Sequence, residues 1–166
     1  NDLYNKESST SNSYDNLLEN YVEVSKDFFG TYYSKAILSN IKSDTIYAYK
    51  NYNNFKMNTD FTKNYNTLYG EEKLKGKNKY QYFLHGDPAY ALIEGNQNKK
   101  EEILIIKDSF AHNFIPFLTE DYKKIHVIDP RYYGLNLEDY LKENPNIKEA
   151  LFIHNIQTLN DEIFYH

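Results

Sequence analysis

Three short apolar runs in the second half of the chain end in clusters of groups that could do chemistry. ILIIK runs into Asp108-Ser109, IHVI into Asp129-Pro130-Arg131, and ALFI into His154-Asn155. A serine placed where an apolar strand turns into a helix exposes its hydroxyl beside backbone N–H groups, the setting of an activated nucleophile with part of an oxyanion hole. Serine is also a preferred N-cap, so at Ser109 the catalytic and the capping readings stand side by side. Asn155 could donate its amide to the same oxyanion or close a turn. Arg131 is the only arginine among 19 basic residues. A planar guanidinium at a strand end suits two-pronged recognition of a carboxylate or other oxyanion.

A serine nucleophile needs a neighbouring base held in the right tautomer by a third group. His112 lies three residues after Ser109, but the sequence places no carboxylate to orient it, and it reads first as a polar or surface residue. His85 precedes Gly86-Asp87 in a turn that could approach the same crevice. His126 falls inside an apolar run and reads as structural. No two histidines stand at i, i+4 or in an H-x-H arrangement, so neither a metal site nor any cofactor is expected.

The elements that must position these groups are strands about 102–107, 125–129 and 149–154. A helical stretch around 110–123, kinked at Pro116, and a helix over 137–144 alternate with them. Asn136 is the N-cap of that helix, Leu137, Tyr140 and Leu141 share one face, and Pro145 follows its end. Continuous apolar strands with short crossovers predict a parallel sheet covered on both faces, an α/β three-layer domain. In such a sheet the carboxyl ends of neighbouring strands open on one crevice, where ligands bind. Upstream, 14–25 permits a short helix running into a strand, and SDTIYAYK alternates as a half-buried strand. The polar stretch 51–79 reads as an exposed excursion, a lid or a carrier of local strands. KYQYFLHGDPAYALIEG reads as strands 80–84 and 90–94 around a turn.

The length suits one domain, 14–166, preceded by a Ser/Asn-rich tail or linker over 1–13. A net charge of −5 with no basic stripe excludes nucleic acid as an expected partner. The chain has no cysteine, which leaves the redox compartment open. No apolar run reaches the roughly 20 residues of a membrane helix. The chain begins Asn-Asp rather than with methionine, and is expected to be part of a longer protein. Oligomeric state is open. Eighteen tyrosines against no tryptophan look like codon bias, although tyrosine rings also suit sugar faces.

ILIIKDSFAHNFIPFL, IHVIDPRYYGLNLEDYL and LFIHNIQTL, preceded by FFGTYYSK, SDTIYAY and YQYFLHGDP, resemble the DHHW family across about 27–159. The resemblance implies an SGNH/flavodoxin-like α/β domain related to bacterial polysaccharide O-acetyltransferases and esterases, extracellular or on the cell surface. It also implies that Ser109 is the nucleophile, that Asn155 supplies an oxyanion-hole amide, and that Arg131 and Tyr132 contact a polysaccharide or acyl-ester substrate; His112 and His85 are further candidate substrate contacts, read from their places in the sequence. The Asp-His-His-Trp signature that normally precedes F-x-G-T is missing from the chain. The partners of the serine are therefore expected upstream of Asn1 or lost, and the isolated chain is expected to be nearly inert. Two other classes remain: a non-catalytic extracellular module binding glycan or protein in the same crevice, and a phosphate-ligand domain, which would want a glycine-rich loop that KDSFAHN does not supply.

Overall fold

The structure is a computed structural model that describes residues 20–30, 41–49 and 55–156. The expected tail over 1–13 lies outside the described residues, as do 14–19 of the expected helix and most of the aromatic stretch 28–38. The chain divides into two compact units, Asn1–Tyr52 and Asn53–His166.

In the first unit, β1 (Tyr21–Phe28) pairs antiparallel with β2 (Asp44–Tyr49). The alternation in β2 buries Ile46 and Ala48 and leaves Tyr47 exposed, the two-residue period of a sheet with one covered face. Tyr49 is also buried and meets the edge of Tyr21, with ring centroids 6.2 Å apart.

The second unit is a six-stranded mixed sheet in the order β4-β3-β5-β7-β6-β8. Its strands are β3 (Lys56–Thr59), β4 (Lys63–Tyr65), β5 (Tyr90–Glu94), β6 (Glu102–Lys107), β7 (Lys124–Ile128) and β8 (Ile147–Ile153). Pairing is antiparallel from β4 through β3 and β5 to β7, then parallel for β7-β6 and β6-β8. The polar excursion therefore carries two strands of the main sheet.

The expected three-layer α/β architecture, SGNH-like or flavodoxin-like, is not what forms. The described residues are mostly β, in two sheets, with one α-helix, α1 (Leu137–Glu143). Between β6 and β7 the chain makes two 3-10 turns, Ser109–Ala111 and Ile115–Glu120, in place of a crossover helix. Pro116 near the start of the second turn has no N–H to give to an α-helical ladder, so the connection stays short and irregular. The apolar stretch expected as strand 80–84 is a 3-10 turn, Lys79–Tyr82. Its rings are buried by stacking, with Tyr69 and Tyr82 centroids 4.8 Å apart, rather than by strand pairing.

α1 begins where Asn136 Oδ1 accepts from the N–H of Asp139 at 3.1 Å. Glu138 and Asp139 occupy its first turn and Lys142 its last, matching the helix dipole. Leu137 and Tyr140 turn to the sheet, while Leu141 is left exposed. On that face Tyr90, Leu104, Ile106, Ile128 and Tyr140 form a buried cluster. Strand alternation sends Ala91, Ile93, Ile103, Ile105, Ile125 and Val127 to the opposite face, all of them buried. The turn Ile115–Glu120 lies against β7.

Candidate functional site

Because β6, β7 and β8 run the same way, Lys107, Ile128 and Ile153 end at one margin, with Ile106 opposite Ile128 and Lys107 opposite Ile153. The antiparallel β5 starts at that margin, Tyr90 opposite Ile128. Backbone bonds continue the junctions one residue further: Asp108 N donates to Ile153 O (3.1 Å), and Asp129 N to Ala89 O (2.9 Å). The groups of the three apolar runs thus meet at one end of the sheet.

Asp108 is buried at the tip of β6. One carboxylate oxygen accepts from Phe110 N at 2.9 Å and the other from Asn155 N at 2.8 Å. It therefore caps the Ser109 turn and fastens the end of β8 to it. Ser109 opens that turn half-buried, and the N–H groups at such a start have no acceptor within the turn itself. Asn155 is joined to this knot through its backbone.

Beneath Ser109 lies a chain of buried polar groups on the face opposite α1. Lys107 Nζ is 2.8 Å from His112 Nε2 and donates to Asp129 Oδ2 at 3.2 Å. Lys107, His112 and Asp129 each have no exposed surface. Arg131 grips the same carboxylate with two prongs, Nε to Oδ1 at 2.9 Å and an Nη to Oδ2 at 2.7 Å. Its guanidinium also sits 5.1 Å from the ring centre of the exposed Tyr132. The fork of the lone arginine is thus spent on an internal carboxylate.

These contacts set the charges. Burial alone would raise the Asp129 carboxyl, but the Arg131 hydrogen bonds and the Lys107 and Arg131 charges outweigh it and hold it below the usual carboxylate range. Arg131 is pushed up by the same bond. Burial draws the Lys107 ammonium down from 10.5, against the pull of Asp129. Burial first, and the Lys107 ammonium second, take the His112 imidazole down to about 3. His112 is therefore neutral. With Nε2 accepting from Lys107, the ring proton is assigned to Nδ1, which is buried without a hydrogen-bond partner. The Asp87 Oδ1 atom stands 3.8 Å from it. Tyr80 lies parallel to the His112 ring with centroids 6.1 Å apart, and donates to Asn113 Oδ1 at 3.1 Å. Burial pushes its phenol up to about 12, which keeps it a donor.

The sequence expectation that His112 is a surface residue is overturned, because the Lys107-Asp129 pair draws it into the core. His85 stands apart from this knot, on the turn before β5. Its Nε2 donates to Thr67 O at 3.1 Å and its ring stacks on Tyr65 at 3.8 Å. Burial lowers its pKa, so it too is neutral near pH 7. Lys107 was missed as a site residue, and Asp129 and Asp87 were noticed without being given a role. The available signal was a lysine closing an otherwise apolar strand, which requires a carboxylate at the tip of a neighbouring strand.

The DHHW protein family matches residues 6–128, well over half of the chain. The chain belongs to the DHHW family. A DHHW family protein from Eubacterium siraeum DSM 15702 is 25% identical, with a TM-score of 0.68 over 86% of this chain and 51% of that one. Bacillus cereus PatB1 with a sulfonyl adduct is 18% identical, with a TM-score of 0.65 over 87% and 49%. Another structure of Bacillus cereus PatB1 is 24% identical, with a TM-score of 0.59 over 76% and 44%. The likeness to PatB1 is one of fold. The present DHHW chain spans about half the length of the solved structures it matches. No curated protein matches it.

Proposed function

We propose that this DHHW chain carries the nucleophile half of a serine esterase or O-acyltransferase acting on acyl groups of a bacterial cell-surface or extracellular polysaccharide. The observation that carries the reading is Ser109 at the tip of the central parallel strand, on a turn locked by Asp108 to both the turn and Asn155.

Ser109 Oγ attacks the ester carbonyl carbon and its proton passes to a base. The C–O bond to the leaving sugar breaks, that oxygen takes the proton, and an acyl-serine remains. Water or a second hydroxyl then attacks the acyl carbon and regenerates Ser109. The backbone N–H of Ser109 and the side chain of Asn155 serve the oxyanion, a role worth roughly 2.7–4 kcal/mol per donor. His112 is not the base, since its Nε2 is taken by Lys107 and its pKa is about 3. The base and its carboxylate are the role of the family's Asp-His-His-Trp signature, which this sequence does not contain. Tyr132 lies exposed beside the tips and serves as a sugar-stacking surface.

The test is hydrolysis of p-nitrophenyl acetate by this chain, by a longer protein that includes the signature, and by Ser109→Ala in the longer protein. The longer protein is expected to turn over, with a loss of at least about a thousandfold in Ser109→Ala. Equal, serine-independent rates from all three would reject the mechanism. Glycan binding without turnover by the longer protein would move it to the non-catalytic class.

A further inference from the structure

The turn that carries Ser109 closes through two i→i+3 contacts, Ala111 N to Asp108 O at 3.3 Å and His112 N to Ser109 O at 3.2 Å. Hydrogen bonds of this kind are less well aligned than those of an α-helix, so the shape of the turn depends on what else holds it. Its first end is held by Asp108. The Asp108 N–H donates to Ile153 O, and the Asp108 carboxylate accepts from Phe110 N and Asn155 N.

The far end is held by a side-chain bond that spans the turn from beneath. Lys107, the residue before Asp108, and His112, the residue after Ala111, meet with Nζ 2.8 Å from Nε2. Strand alternation sends Lys107 to the face opposite Ile106, where Asp129 accepts from the same ammonium at 3.2 Å. Ser109 therefore lies within the Asp108 cap, within the Lys107-His112 bond, and at the end of the backbone bond from His112.

The pair is suited to holding rather than to proton transfer. His112 is neutral, with its pKa taken down to about 3 by burial and by the Lys107 ammonium. Its Nδ1 faces Asp87 Oδ1 at 3.8 Å. A carboxylate on that side favours the tautomer protonated at Nδ1, which leaves Nε2 to accept from Lys107. Stability alone gives no reason for a lysine here, because well-packed apolar side chains in place of a buried ion pair are often neutral or stabilising. What the charged pair adds is a directional bond under the nucleophile.

We propose that Lys107 and His112 form a clamp that holds the Ser109 turn in one shape, which makes them positioning residues of the acyl-transfer centre. The inference rests on the functional reading above and adds the device that orients its nucleophile. With no exposed surface, neither side chain reaches a substrate; both act through Ser109.

Glutamine and asparagine separate the clamp from packing. The amide end of a glutamine extends to the place of an imidazole Nε2 and that of an asparagine stops near Nδ1, so His112→Gln keeps an acceptor for Lys107 and His112→Asn does not. The first measurement is kcat for p-nitrophenyl acetate in the longer protein that includes the signature, taken per folded molecule with the folded fraction read from urea curves. His112→Asn is expected to lose about tenfold to a hundredfold in kcat with KM unchanged, the size of effect that a misplacement of about 1 Å produces, and His112→Gln to stay within about threefold of wild type. Equal rates in the two variants, or a loss in KM alone, would overturn the proposal. The second measurement uses the isotopically labelled 166-residue chain. At pH 7 the His112 ring should be unprotonated at Nε2, and hydrogen exchange of the amide at position 112 should quicken about tenfold in His112→Asn but not in His112→Gln. A protonated Nε2 in the wild type overturns the clamp even where a variant does not fold. An intact clamp without turnover by the longer wild-type protein sinks the esterase and keeps the clamp, and turnover with a protonated Nε2 does the reverse.

Discussion

Asp129→Asn reads the buried charge network most directly. The amide keeps the shape of the side chain but removes the charge 3.2 Å from Lys107 Nζ, in a place where neither side chain is exposed. Lys107 must then stay charged without its counterion or give up its proton. Giving it up at pH 7, from an unfolded value of 10.5, costs about 1.4 kcal/mol for each of roughly 3.5 pH units, on the order of 5 kcal/mol. That figure caps the part of the loss that falls on Lys107; the weakened Arg131 contacts to the same side chain add to it. It agrees with the roughly 3–5 kcal/mol typical when one partner of a buried ion pair is removed.

The pH dependence distinguishes this from a simple packing defect. The folded pKa of Lys107 lies below 10.5 in the wild type and falls further in the variant. Each folded form therefore binds fewer protons than its unfolded chain between its own folded pKa and 10.5, and gains stability as pH rises through that window. The variant's window opens at lower pH. Its deficit shrinks by up to about 1.4 kcal/mol per pH unit and closes above the wild-type Lys107 pKa. Urea unfolding of both proteins at several pH values between 6 and 9 measures the difference, and the double variant Lys107→Met, Asp129→Asn should recover most of it. A deficit below about 1 kcal/mol, flat with pH, would mean that Lys107 is already neutral in the wild type and that the contact is an ordinary hydrogen bond.

Two further outcomes follow from the same geometry. The His112 pKa is depressed from 6.5 to about 3, so the stability it lends is whole above pH 6.5 and lost as pH falls toward 3. His112→Gln should flatten the acid limb of stability by up to about 1.4 kcal/mol per pH unit over that range, measured by urea midpoints; an unchanged acid limb would show that His112 titrates normally. At Gly95 an added Cβ would collide with Tyr122 O and stand 2.9 Å from Thr119 O, both backbone atoms that cannot swing aside. Gly95→Ala should therefore cost about 1–3 kcal/mol in thermal or urea unfolding, and a neutral result would show that the turn after β5 can open.

Legibility in the sequence varied with how much each element depends on local signals. ILIIK and IHVI are continuous apolar runs, and the structure buries β6 along its whole length. α1 was marked by its cap, its apolar face and the proline beyond it. β3 and β4 had no such mark. KMNT pairs with β5 and KNY only with KMNT, and only Met57 and Thr59 among them are buried. The three-layer expectation failed at one inference: that the residues between β6 and β7 would be helical enough to form a layer. Pro116 and two 3-10 turns deny that, and an antiparallel β5 inserted beside β7 made the sheet mixed.

The convergence of groups did not depend on the layers. It needs only parallel pairing of β6 with β7 and β8, which brings Asp108, Asp129 and Asn155 to one margin whatever covers the faces. What the sequence could not reveal was how those groups divide their partners. Arg131 looked like the recognition group because it stood alone, yet a buried Lys107 demands a carboxylate, Asp129 answers it, and Arg131 closes its fork on the same carboxylate. A guanidinium so engaged has little left for a ligand. Asp87 and the pinned His85 keep exposed surface at this margin, and their left-handed turn with its stacked tyrosine is a tertiary feature that no local pattern announces.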